Sequence, residues 1–176
     1  MKKLSLKELN RISVKGFKEQ EKTPFVFVLD NVRSALNVGS VFRTSDAFAI
    51  EKIYLCGITA KPPHKEILKT AIGATSSVDW EYQVSTVEAI QQLKEAGFLI
   101  VGIEQTNESI SLQEFKLDKT KKYAIVLGNE VKGVDNDVLQ LVDDCIEVPQ
   151  FGTKHSLNVS VCAGVIAWDL FKQFKY

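Results

Sequence analysis

Five short, mostly apolar runs recur along this chain, and each is too short to be a helix. They are Phe25-Val-Phe-Val-Leu29, Ile53-Tyr-Leu55, Phe98-Leu-Ile-Val101, Tyr123-Ala-Ile-Val-Leu127 and Cys145-Ile-Glu-Val148. A strand with one wet face alternates apolar and polar residues; an unbroken run suits a strand covered on both faces, as in a parallel sheet. A sixth strand is expected over Val78–Tyr82. Helical stretches lie between these runs. Asn37 is expected to cap a helix with Val38, Val41 and Phe42 on one side, and His64–Ile72 forms a helix that Gly73 stops. Val87–Ala96 ends at Gly97, Asp135 caps a helix carrying Val138, Leu139 and Val142, and Ser156 opens a final helix reaching about Phe174. This alternation predicts an α/β fold: a mainly parallel sheet with helices on both faces.

Composition narrows the function. The 176 residues suit one domain, and 22 basic against 22 acidic residues exclude binding nucleic acid by bulk charge. The charge is uneven, however. Residues 1–22 hold Lys2, Lys3, Lys7, Arg11, Lys15, Lys18 and Lys22 against Glu8, Glu19 and Glu21. They read as a basic N-terminal helical arm on a single domain spanning 1–176, either a solvated face or a contact for phosphates. Cys56, Cys145 and Cys162 are widely spaced and form no CxxC pair, which argues for core thiols rather than disulfides or zinc. No metal is expected. The N-terminus has no signal-peptide pattern and no run is long enough to span a membrane, so a cytoplasmic location is expected.

Ligands of parallel sheets bind beyond the carboxyl ends of the strands, and three loops there are unusual. In the first, Asn37 is followed by Gly39 and Arg43, one helical turn apart; the pair suits an anion near a helix start, or else a plain capped helix with a surface arginine. In the second, Gly128 follows a buried run and would let a ligand approach the backbone beside Asn129 and Glu130. In the third, Ser156 and Asn158 stand at the start of the last helix, and His155 is a loop residue. Neither GxGxxG nor GxxxxGK[ST] is present, so a standard dinucleotide site and a P-loop are both excluded.

Together these loops resemble the SpoU (TrmH) family of RNA 2′-O-ribose methyltransferases. The carriers are Asn37-x-Gly39-x-x-x-Arg43-Thr44, Leu127-Gly-Asn-Glu130, and Pro149-x-x-Gly152 leading to Ser156-Leu-Asn-Val-Ser160, within residues 24–172. The resemblance implies a C-terminal deep trefoil knot, a homodimer with shared active sites, and S-adenosyl-L-methionine as cofactor. It implies cofactor contacts at Ile103, Glu104, Leu127, Gly128, Asn129, Ile146, Val148, Pro149, Ser156 and Leu157. It also implies Arg43, Asn37, Glu130, Ser156 and Asn158 as the catalytic set, acting on RNA, with tRNA preferred over rRNA. A guanidinium is a poor base, so Arg43 reads better as an anchor for an RNA phosphate that also stabilises the forming alkoxide; proton removal stays open among Glu130, phosphate and water. One alternative is a non-catalytic RNA- or AdoMet-binding module on the same fold. A flavodoxin-like nucleotide binder is another, and it would need neither the Asn37/Arg43 nor the Ser156/Asn158 pair.

Overall fold

The computed structural model describes residues 1–5 and 8–176; Leu6 and Lys7, the latter one of the arm's basic residues, lie outside the described residues. Seven strands form one sheet, and every pairing in it is parallel. They are β1 (Thr23–Asp30), β2 (Ile50–Cys56), β3 (Asp79–Gln83), β4 (Phe98–Ile103), β5 (Ile110–Ser111), β6 (Lys122–Leu127) and β7 (Asp144–Glu147), in the spatial order β3-β2-β1-β6-β4-β7-β5. The helices are α1 (Val14–Glu19), α2 (Ala35–Ala47), α3 (Lys65–Ala71), α4 (Thr86–Glu95), α5 (Asn136–Leu139) and α6 (Val159–Lys175).

Strand periodicity divides the core into two layers. Phe25, Phe27 and Leu29 of β1 point to one face, with α1, α2, α3 and α6; Val26 and Val28 point to the other, with α4 and α5. The unbroken apolar runs reflect this burial on both faces. Register then lines up the strand ends. Leu29 pairs with Leu127, Leu127 with Ile103, and Ile103 with Ile146, so the carboxyl edge of four adjacent strands presents a row of apolar side chains.

Two helix starts differ from the sequence expectation. The N-cap of α2 is Ser34, whose hydroxyl accepts the amide of Asn37, leaving Asn37 inside the first turn with its side chain free for other work. The N-cap of α6 is Asn158, accepting the amides of Ser160 and Val161; Ser156 stands ahead of the helix. Among the described residues the basic arm is helical only over Val14–Glu19, and α5 is a single turn. The strand β5 carries no apolar run of its own and forms by adding to the free edge of β7.

Gly39 does not face an anion. A Cβ there would lie 2.1 Å from Thr70 Oγ1 and 2.4 Å from the carbonyl oxygen of Ile67, so the glycine is required by the close crossing of α2 over α3. Because a backbone atom blocks the methyl, Gly39→Ala is expected to cost about 1–3 kcal/mol through forced separation of the two helices. A urea midpoint equal to that of the wild type would show that the crossing yields without cost.

Candidate active site

The apolar row at the carboxyl edge is the floor of a cleft of about 320 Å³. Ile103, Leu127 and Ile146 supply strand ends, and Val148 and Leu157 add apolar walls from the β7–α6 connection. Gly128, Asn129, Glu130 and Gly133 bound it on the side of the β6–α5 loop, while Glu104 and Ser156 contribute polar atoms. Of the ten expected cofactor residues, the structure brings all but Pro149 to this cleft. Pro149, between Val148 and Gln150, is not among the residues that line it.

Several of these side chains are already engaged. Glu104 accepts the amides of Gln105 (2.9 Å) and Val134 (3.0 Å), and its carboxylate fills the space a side chain at Gly133 would need. Asn129 donates to the carbonyl of Asn31 (2.8 Å) and accepts the amides of Val131 and Lys132, pinning a tight turn bridged back to Gly133. A Cβ on Gly128 would lie 2.2 Å from the backbone of Gly133 and Val134. This glycine therefore admits the chain's own return strand, not a ligand, on that side. Gly133 itself sits at φ +71°, where glycine is favoured.

Three of the five expected catalytic residues form one hydrogen-bonded chain. Glu130 accepts the amides of Arg33 (2.8 Å) and Ser34 (2.9 Å) and the Asn37 side-chain amide (2.9 Å). Asn37 Oδ1 in turn accepts from Asn158 Nδ2 (3.1 Å), and Asn158 caps α6. Burial works to raise the Glu130 pKa, but the bonds from Arg33, Asn37 and Ser34 outweigh it and hold the carboxyl below the ordinary glutamate range. With both oxygens engaged in this way, the carboxylate is a clamp between the second motif loop and the start of α2.

Arg43 is elsewhere. It lies six residues beyond Asn37, about 9 Å along the helix axis and roughly 240° around it. There it is exposed and borders a second, larger cavity of about 980 Å³ between α2, the end of α3, the end of α6 and the arm segment Leu9–Val14. Ser156 stands on the wall of the first cleft, outside the Glu130–Asn37–Asn158 chain. Cys162 also lines that cleft; burial pushes its thiol up to about 11, and that of Cys56 up to about 12. Among the described residues no cluster of His, Cys, Asp or Glu is placed to hold a metal, and no helix is long and apolar enough to cross a membrane.

The model of the SpoU rRNA methylase family matches residues 24–168. The chain belongs to this family. It is 31% identical over 157 residues to a tRNA (guanosine(18)-2′-O)-methyltransferase of Aquifex aeolicus, covering 88% of this chain and 72% of that one. It is 30% identical to a 23S rRNA (guanosine-2′-O-)-methyltransferase of Vibrio parahaemolyticus, over 95% of this chain and 66% of that one. An AdoMet-bound rRNA methyltransferase structure from Sinorhizobium meliloti shares the fold at a TM-score of 0.80, with 23% identity over 89% of this chain and 59% of that one. The chain spans about two thirds of the length of the curated relatives it matches.

Some members of the site escaped sequence reasoning. The amides of Arg33 and Ser34 are as much part of the Glu130 clamp as Asn37, and Ser34 was readable as a cap three residues before Asn37. Ser160 joins the chain through Asn158 Oδ1 at 2.7 Å. Gln105, which donates to the carbonyl of His155 at 2.9 Å, carried no signal at all.

The clamp makes a pH-dependent forecast. A carboxyl whose pKa is depressed on folding adds stability above its unfolded pKa, and that stability is lost as pH falls through the folded value, which lies below the ordinary glutamate range. Glu130→Gln replaces one acceptor with a donor, so it is expected to lower the unfolding temperature at pH 7 and to differ less from the wild type at pH 3. A gap that stays constant between the two pH values would show that Glu130 contributes no titrating stability.

Proposed function

We propose that this protein is an S-adenosyl-L-methionine-dependent RNA methyltransferase that methylates a ribose 2′-hydroxyl, on tRNA in preference to rRNA. The observation that carries the reading is the Glu130–Asn37–Asn158 chain, which fastens all three motif loops together beside an apolar cleft at the sheet's carboxyl edge. The cleft fits the cofactor: it is of ligand size, with an apolar floor for a ring and backbone polar groups on its rim. Ile103, Leu127, Ile146, Val148 and Leu157 would hold the apolar part, with Gly128 and Ser156 at its polar edge. When bound, S-adenosyl-L-methionine supplies an electrophilic methyl group.

The chain's own residues do the rest. Arg43 anchors an RNA phosphate and stabilises charge developing on the 2′-oxygen. Glu130 keeps its three hydrogen bonds, so the 2′-hydroxyl proton would leave to water or to a phosphate oxygen as the 2′-oxygen takes the methyl carbon and the sulfur–methyl bond of the donor breaks with its electron pair left on sulfur. The basic arm, bordering the same cavity as Arg43, adds phosphate contacts. The C-terminal segments, with β6 and β7 as the inserted strands, form the family's trefoil knot, and the protein acts in the cytoplasm.

A second copy completes the site. Arg43 does not line the cleft of its own chain, so a twofold partner is needed to bring guanidinium and cofactor together. The surface for it is the outer side of α6. Val161 (54% exposed), Val165 and Trp168 (51%) face solvent there. Trp168 leans on Phe48 and Phe171 at 6.0 and 6.3 Å and stays half uncovered. Ala163 and Ala167 are spent on the chain's own core; of these two and Gly164 between them, Gly164 alone is open for a crossing backbone.

Incubating the protein with methyl-labelled AdoMet and unfractionated tRNA or rRNA is expected to label RNA at an alkali-resistant nucleotide. Binding of both partners without transfer would favour the non-catalytic module instead. Arg43→Ala is expected to abolish transfer while leaving calorimetric AdoMet affinity near wild type; a large loss of cofactor affinity would place Arg43 in the cleft.

By light scattering at low micromolar concentration, the wild type is expected to be a dimer and Trp168→Glu a monomer. A monomeric wild type would overturn the shared site.

A further inference from the structure

Phe151 is 99% exposed, and among the described large apolar side chains only the terminal Met1 exceeds it. It belongs to the connection between β7 and α6, whose neighbouring residues Gln150, His155 and Ser156 line the cleft. That connection is tied across the cleft mouth by Gln105, which donates to the carbonyl of His155 at 2.9 Å. Val131 of the β6–α5 loop is 74% exposed and lines the same cleft. Lys154, three residues beyond Phe151, is exposed, and Gly152 has open space where a side chain would stand.

A phenylalanine left in water on a connection several of whose other residues line a binding cleft has forgone burial, which a loop of polar residues would not require. The nature of the substrate says what covers it. A ribose hydroxyl can reach a recessed cleft only when its nucleotide leaves the RNA stack, and a base so displaced needs a new π-face. An aromatic side chain supplies one without reading sequence, and a nearby lysine meets the backbone phosphate.

We propose that Phe151 is the stacking platform for an unstacked RNA base at the mouth of the methyl-donor cleft. The inference rests on the reading of the protein as an RNA methyltransferase and adds the group that holds the target nucleotide out of its helix. Phe151 is a substrate-positioning residue, not part of the cofactor site.

The test compares Phe151→Ala and Phe151→Trp with the wild type. Fluorescence anisotropy with labelled unfractionated tRNA and rRNA measures binding, calorimetry measures AdoMet affinity, and light scattering measures mass. The alanine variant is expected to bind RNA about tenfold or more weakly, and the tryptophan variant to return to within roughly threefold of wild type. AdoMet affinity and mass should not change in either.

Wild-type RNA binding by Phe151→Ala would overturn the proposal. So would a fall in its mass, which would assign the side chain to a contact with a second copy, or a loss of AdoMet affinity, which would assign it to the cofactor. Binding is read independently of transfer. A wild type that binds RNA without methylating it therefore counts against the enzymatic reading alone, whereas one that binds no RNA removes both.

Discussion

The carboxylate of Glu130 accepts the amides of Arg33 and Ser34 and the side chain of Asn37, so the turn after β6 and the start of α2 cannot move independently. Through Asn37 the constraint reaches Asn158 and the first turn of α6. Three segments distant in sequence are thereby held as one rigid body around the cleft. The clamp also bears on the chemistry of the carboxylate itself. Its hydrogen bonds lower the Glu130 pKa and occupy both oxygens, and the group they make is suited to holding shape rather than to taking a proton.

The motif glycines serve the same end by a different means. Gly39 lets α2 approach α3 within a distance that no side chain would permit, and Gly128 lets the Gly133–Val134 segment fold back onto the end of β6. Gly133 makes room for the Glu104 carboxylate, which then anchors Val134. Each glycine that looks from the sequence like room for a ligand is filled by the protein itself. The ligand space lies instead over the apolar strand ends, where Leu127, Ile103 and Ile146 come into register.

The strands were legible because burial on both faces leaves an unbroken apolar run, and this holds for β1, β2, β4, β6 and β7. Helix starts were legible only to within a few residues. Ser34 and Asn37, or Ser156 and Asn158, are all competent caps; the choice is made by the Asn37–Asn158 bond, which no local pattern encodes. For β5 the sequence offers nothing, since Ile110 and Ser111 pair only because the edge of β7 is there. The motif spacing gathered Asn37, Glu130 and Asn158 correctly around one place. Arg43, which the resemblance names with them in a site shared between subunits, lies six residues along α2 on another face and borders another cavity.

The order of strands in the sheet bears on how such a chain reaches its final form. β6 lies between β1 and β4, and β7 between β4 and β5, so each is inserted between two strands that precede it in the chain. Until Lys122–Leu127 has been synthesised, β1 and β4 have no proper neighbour on their facing edges. The first half of the sheet, β1 to β3 with α2 and α3, can condense from contacts between consecutive elements. The second half must hold a gap open and close it with late, long-range pairings, whose loop-closure entropy is met before any contact rewards it. Slow, C-terminally limited folding follows from the topology itself, and until β6 arrives the apolar edges of β1 and β4 stay exposed to misassociation.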